Sequence, residues 1–133
     1  MVAARKEVRV AIVGLGRVGS TFLSKLASRE DQGVKVVAVA EKDENAQGVM
    51  LARSEGITVY QDAKDIVAMG EAVDIIFDLT GVPDTRKVLR VDLARSGNQH
   101  TVVAPEVIAY LIWNMMGNPI EFPDFHDQNQ RGY

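Results

Sequence analysis

The sequence contains no cysteine. That absence removes disulfides, thiolate metal sites and cysteine nucleophiles together, and it suits a reducing cytoplasm. Positive charge is also in short supply. The net charge is −3 and no Lys/Arg cluster forms a basic stripe, so nucleic acid is not an expected partner. Long apolar runs are missing too. The run VIAYLIW at 107–113 falls far short of the roughly 20 residues a membrane span needs. The N-terminal run VRVAIV breaks at Gly14, too soon for the apolar stretch of a secretory signal. There is no G-x-S-x-G nucleophile motif, no Walker lysine, no internal repeat and no low-complexity segment. What remains is a chain of 133 residues, 47% apolar and 25% charged, which is enough for one domain with a core of its own.

Apolar runs alternate with helix-like segments along the chain. Residues 8–13 and 34–40 (VKVVAVA) are continuous and rich in β-branched residues, as strands covered on both faces of a parallel sheet should be. Between them, residues 20–29 place Phe22, Leu23, Leu26 and Ala27 on one helical stripe. Asp43 can cap a second helix carrying Ala46, Val49 and Met50, which Gly56 closes. A short strand ITVY follows, then a helix capped by Asp62 and running to about Met69. VDIIFDL (73–79) reads as a fourth strand and 84–96 as a helix with Val88, Leu89 and Leu93 inward. HTVVA (100–104) reads as a fifth strand, and Pro105 suits the first turn of a last helix. The strand–helix alternation predicts an α/β fold, a right-handed, doubly wound parallel sheet of about five strands over residues 1–116. Residues 117–133, with two prolines and no periodicity, read as a tail or arm.

The stretch VRVAIVGLGRVGSTF (8–22) places G-x-G-x-x-G directly after a strand and at the opening of a helix. In that setting each glycine has a separate task. Gly14 makes a tight turn, Gly16 lets the backbone approach a pyrophosphate, and Gly19 lets the helix pack closely. The phosphates would lie on free N–H groups at the helix N-terminus, where the dipole favours an anion. At the end of the second strand, 22 positions beyond Gly19, stands Glu41. Its carboxylate can accept from both hydroxyls of an adenosine ribose and would repel a 2′-phosphate. This favours NAD over NADP, while the adjacent Lys42 is a cation that could take a 2′-phosphate.

With these elements in place, the chain resembles the nucleotide-binding half of the Gfo/Idh/MocA-type oxidoreductases and of homoserine and aspartate dehydrogenases. The segments AIVGLGRVG, VVAVAEKD, ARSEGITVYQDAKDI, VDIIFDLTGVPDT and ARSGNQHTVVAP follow that family's order over residues 7 to about 108. The resemblance implies a Rossmann-like fold and a dinucleotide loop made of Gly14, Leu15, Gly16, Arg17, Val18 and Gly19. It makes Glu41, with Lys42 beside it, the ribose site, and it places Leu79, Thr80 and Gly81 near the nicotinamide ribose. Pro83 and Asp84 match the start of the following helix. Relatives end the fifth strand in Glu-Lys-Pro, with a lysine that commonly transfers a proton. Here the same three places hold Val103, Ala104 and Pro105, and alanine transfers no proton. The family also follows this domain with a substrate-binding α/β domain, and the residues after the last helix are too few to form one. The chain therefore resembles a cofactor domain without its catalytic partner, and no catalytic residue is assigned. Potassium-transport regulatory domains of the RCK type share GLGRVG, but GITVYQD and LTGVPDT are less like them.

Other polar residues carry less. Asp124, His126 and Asp127 could in principle ligate a metal, but they read as a solvated tail, so no metal is expected. His100 reads as an edge histidine rather than an acid/base, because no partner acid lies at an identifiable spacing. The helix PEVIAYLIWNMM (105–116) is apolar on nearly every face. One stripe would suffice for a monomer, so a homodimer or partner contact centred on Trp113 is expected, with Phe122 and Phe125 of the tail as a clasp. The leading functional reading is a stand-alone NAD(H)-binding module, a sensor or partner subunit in the cytoplasm. A cofactor-binding subunit of a split oxidoreductase, an interaction domain that has lost its ligand and an RCK-type regulatory nucleotide-binding domain are the alternatives.

Overall fold

The computed structural model describes residues 6–117 and residue 123. Five strands form one parallel sheet: β1 (Val8–Val13), β2 (Val34–Ala40), β3 (Thr58–Tyr60), β4 (Ile75–Asp78) and β5 (Val102–Ala104). Five helices connect them: α1 (Arg17–Leu26), α2 (Gln47–Ser54), α3 (Ala63–Val67), α4 (Pro83–Arg95) and, after the last strand, α5 (Glu106–Met115). The strand order is β3-β2-β1-β4-β5. From β1 the chain builds outward one way to β3, then crosses back to place β4 on the other side of β1. In a doubly wound sheet this reversal opens a crevice at the C-terminal ends of β1 and β4.

Two apolar layers hold the sheet. Val10 and Ile12 of β1 face one layer with Phe22, Leu23 and Leu26 of α1 and Trp113 of α5. Ala11 and Val13 face the other with Ile66 of α3 and Leu89 and Leu93 of α4. The alternation of β1 between layers follows from the two-residue period of a strand, and burial on both faces explains its uninterrupted apolar sequence. Phe22 meets Phe77 of β4 edge-on, with ring centroids 4.9 Å apart. That geometry suits the ring quadrupoles and fixes α1 over the crevice strands.

Several details depart from the sequence expectation. Asp43 does not cap α2. Its carboxylate accepts from the Asn45 N–H at 2.9 Å, and α2 begins later, at Gln47, with Ala46 at the N-cap and no side chain capping the helix. Met50 is therefore rotated outward and is 79% exposed, while Gly48, Val49 and Ala52 face inward. Val88 was expected inside and is 50% exposed. The buried positions of α4 are Arg86, Leu89 and Leu93. The strand expected from His100 begins at Val102, because Asn98 Oδ1 captures the N–H groups of both His100 and Thr101 in a turn. Trp113 is the largest departure. It is only 4% exposed, packed in its own core with Lys25 Nζ 5.8 Å from its ring centroid. The apolar surface of α5 is instead Ile108, Leu111 and Met115. The expected clasp residues Phe122 and Phe125 lie outside the described residues. Among the described residues no helix is long and apolar enough to cross a membrane.

At the opposite end of the sheet from the crevice, Asp74 ties three strands together. Its carboxylate accepts from the Arg9 backbone N–H at 2.7 Å and from the Arg9 guanidinium at 2.9 and 3.2 Å, and it meets His100 Nε2. The Arg9 guanidinium, the Arg9 backbone N–H and His100 together hold the Asp74 carboxyl well below the usual carboxylate range. A depressed folded-state pKa means stability that is present above the unfolded pKa of about 3.9 and lost as pH falls further. Asp74→Asn is expected to cost about 1 kcal/mol at neutral pH, discounted for the solvent that reaches the pair. Urea melts should show the gap from the wild type narrowing below about pH 4. A gap that persists unchanged in acid would place the effect in packing rather than charge.

Candidate dinucleotide site

The turn after β1 is built around close backbone approaches. Gly14 has φ +96°, a conformation that disfavours a side chain, and an ideal Cβ there would lie 2.9 Å from Leu79 C and Thr80 N. The strand ends are tied across the crevice: Gly14 N–H donates to Ala40 O at 2.9 Å and Leu79 N–H to Val13 O at 2.8 Å. Gly19 sits against the turn rather than the strand, since its Cβ would fall 1.8 Å from Gly14 O. Gly16 differs from both. An ideal Cβ on it meets nothing within 4 Å, and the residue borders the crevice. It also precedes α1, where no side chain caps the helix. The Ser20 N–H donates to Gly16 O at 2.8 Å, so the N–H groups of Arg17, Val18 and Gly19 have no acceptor within the helix.

Glu41 closes the second side. One carboxylate oxygen accepts from the Leu15 N–H at 2.7 Å and the other from the Asp43 N–H at 2.9 Å. The acid is thus anchored to the glycine loop itself, and each oxygen keeps further acceptor capacity toward the crevice. Beyond β4 the chain makes a hydrogen-bonded hook. Asp78, 5% exposed, accepts from the Thr80 N–H at 3.1 Å and the Thr80 hydroxyl at 2.7 Å, and that hydroxyl accepts from the Val82 N–H at 3.1 Å. Gly81 follows with φ +73°. Sequence reasoning passed over Asp78, although an acid two residues before a threonine at a strand end is a turn signal.

These parts enclose a cleft of about 700 Å³. Its floor is the strand ends Val13, Ala40 and Leu79. One wall carries Gly14, Gly16, Glu41 and Lys42, and the far end runs between residues 61–64 and α4. Of the positions singled out from sequence, Gly14, Gly16, Glu41, Lys42, Leu79 and Thr80 come together here. Leu15 and Val18 turn their side chains into the core, at 0% and 2% exposure, which leaves only their backbone for a ligand. Arg17 is exposed at the start of α1, outside the lining. The lining also includes residues the sequence did not announce: Gln61, Lys64, Val82, Thr85, Val88 and Asp92. Val88 explains itself this way, because the apolar side chain missing from the core stands on the cleft wall.

Ala104, in register with Phe77 across β4 and β5, is buried and apolar. His100 lies at the far edge of the sheet with Asp74, its partner 26 residues away in sequence. No group of three or more His, Cys, Asp or Glu residues suited to a metal occurs among the described residues. Asp124, His126 and Asp127 lie outside them.

Residues 14–108 match the family described as the homoserine dehydrogenase NAD-binding domain. The chain belongs to this family. Acetaldehyde dehydrogenase of Spirochaeta aurantia is 32% identical over 82 residues, covering 61% of this chain and 27% of that protein. The myo-inositol 2-dehydrogenase of Lactobacillus plantarum superposes with a TM-score of 0.58 at 26% identity, over 86% of this chain and 34% of the other. A protein of gentamicin A biosynthesis, solved in complex with NAD, superposes with a TM-score of 0.57 at 22% identity, over 77% and 28%. The chain thus spans only 27% to 34% of these relatives' own lengths. A dinucleotide-binding α/β domain of dehydrogenase type is what the family and the fold agree on.

Proposed function

We propose that the chain binds NAD(H), with the pyrophosphate over Gly14–Gly19, the adenosine ribose on Glu41 and the nicotinamide ribose toward Leu79, Thr80 and Gly81. The observation that carries this reading is the bare Cα of Gly16. It faces the cleft with free space where a Cβ would stand, next to three helix N–H groups without an intrahelical acceptor. The residues present fit the group: an uncapped helix N-terminus for the phosphates and an anchored carboxylate for the ribose. NAD(H) would supply the hydride chemistry, and this chain's residues would bind and orient it. The place where similar proteins carry a proton-transferring lysine is Ala104. We therefore read the domain as a cofactor-binding module, a sensor or a partner subunit, whose substrate chemistry would need residues from another domain or chain. A cofactor-binding subunit of a split oxidoreductase fits the same observations.

Calorimetric titration with NAD, NADH, NADP and NADPH tests the proposal. NAD is expected to bind more tightly than NADP by about 30- to 150-fold. That is about 2–3 kcal/mol for the lost 2′-hydroxyl bond and a phosphate set against a carboxylate. Equal affinities would show that Lys42, rather than Glu41, governs this end.

A further inference from the structure

α5 is apolar well beyond what its own core uses. Ala109 and Trp113 turn inward. At about 100° per residue Ile108, Leu111 and Met115 fall on the opposite side, with Leu111 54% and Met115 78% exposed. Their spacing of three and four residues makes one stripe along the helix, as in a helix–helix seam. No Asp, Glu, Lys, Arg or His occurs from 107 to 117, and the one charge of α5, Glu106, is buried. Every other helix exposes charge: Arg17 on α1, Arg53 on α2, Lys64 on α3, and Lys87 and Arg90 on α4. Val102 of β5 adds exposed apolar surface on the side of the sheet that α5 covers. Its neighbour two residues on, Ala104, packs in the layer with Trp113.

A stripe without charge offers a charged partner nothing to recognise, but it complements itself. A two-fold axis near Leu111 sets that residue beside its own copy. Ile108 lies about 4.5 Å along the helix on one side of Leu111 and Met115 about 6 Å on the other. In an antiparallel pair, therefore, Ile108 of each copy meets the partner's Met115. Each such contact is made twice, which is how a short stripe becomes an interface. Area sets the strength. α5 has 10 residues and is about 15 Å long, so the pair buries less than the roughly 800 Å² per partner of a standard interface. A contact of that size is weak and reversible. We infer that the outer face of α5 is the contact between two copies of this chain, in an antiparallel pair of helices centred on Leu111. No residue of α5 lines the cleft, so this inference stands or falls apart from the NAD(H) reading.

Sedimentation of the full chain from about 5 to 500 µM tests it. The expected result is a reversible monomer–dimer equilibrium with a dissociation constant of about 10–100 µM. Leu111→Glu sets two carboxylates against each other at the axis and should weaken the dimer at least about 30-fold. Leu111 is exposed in the single chain, so this variant should keep the wild-type melting temperature at dilutions where both are monomers. Leu111→Cys gives a second reading. The chain has no cysteine of its own, so oxidation with copper phenanthroline can link two copies only through position 111. Side chains that face each other across the axis are close enough for a disulfide. Leu111→Cys should therefore cross-link at least about tenfold faster than Met50→Cys, an equally accessible thiol on α2. A wild type that stays monomeric across the range overturns the inference and leaves the stripe to another protein or to residues beyond Gly117. A dimer that survives Leu111→Glu, or a Leu111→Cys chain that links no faster than Met50→Cys, puts the contact elsewhere and overturns it equally.

Discussion

Gly16→Val is expected to fold and melt like the wild type yet weaken NAD(H) binding by at least about 100-fold. The two halves of that expectation come from one observation. A Cβ on Gly16 meets no atom within 4 Å, and the residue has negative φ, so the free protein should accept the side chain without strain. The space the side chain enters is the cleft above α1, where a pyrophosphate must approach the backbone to reach the N–H groups of Arg17, Val18 and Gly19. Branched carbons there push the phosphates out of hydrogen-bond range of the helix terminus. Calorimetry decides binding, and a thermal melt run in parallel decides folding. If the variant keeps its affinity, the phosphates do not lie on this loop. If it loses stability as well, Gly16 serves the fold rather than the ligand.

The fold was largely legible in the sequence because each element carried its own signal. Continuous apolar strands, a glycine turn after the first of them and helix stripes of ordinary spacing leave few ways to wind the chain. The failures cluster where a tertiary hydrogen bond outvoted a local preference. Asp43 has the side chain of a helix cap, but its N–H is held by Glu41, and Glu41 is held by Leu15. A cap assignment made within α2 could not see that chain of contacts. Val88 failed for the opposite reason. Its helix has a cleft on one side, and an apolar residue facing a cleft has the same periodicity as one facing a core.

The site was legible to the extent that it is made of backbone. The glycine spacing announces itself because the close approaches at Gly14 and Gly19 leave no room for a Cβ. The side chains lining the far end of the cleft do not. Lys64, Thr85 and Asp92 are ordinary helix-surface residues, and only the juxtaposition of α3 and α4 across the sheet brings them together. His100 shows the same limit, since its acid lies 26 positions away at the start of a neighbouring strand. Trp113 was misplaced because an apolar helix does not declare which of its large residues turns inward. The structure gives the inner position to the largest, over Lys25, and leaves Leu111 and Met115 outside.

Gly19→Ala, three residues along the same motif, should do what Gly16→Val does not and destabilise the fold. A Cβ at Gly19 would stand 1.8 Å from Gly14 O and 2.8 Å from Gly14 C, well inside any real contact. Relief requires α1 and the turn to separate by more than about 1 Å, and neither is free to move. The turn is pinned by Gly14 N–H on Ala40 O and by the strand-end bond from Leu79 N–H to Val13 O. The helix is pinned by Phe22, Leu23 and Leu26 in the core, with Phe22 locked against Phe77. Alanine does favour the helix over glycine by about 1 kcal/mol. Overpacking against an immobile carbonyl costs about 3 kcal/mol or more, so the clash wins. For a domain of this size the net loss should lower Tm by about 10 °C. Dinucleotide affinity should fall with it, because the displaced turn is the one that presents the helix N–H groups. A variant as stable as the wild type would mean that α1 can slide from the turn, and that the close approach of Gly19 is incidental rather than a constraint on the loop.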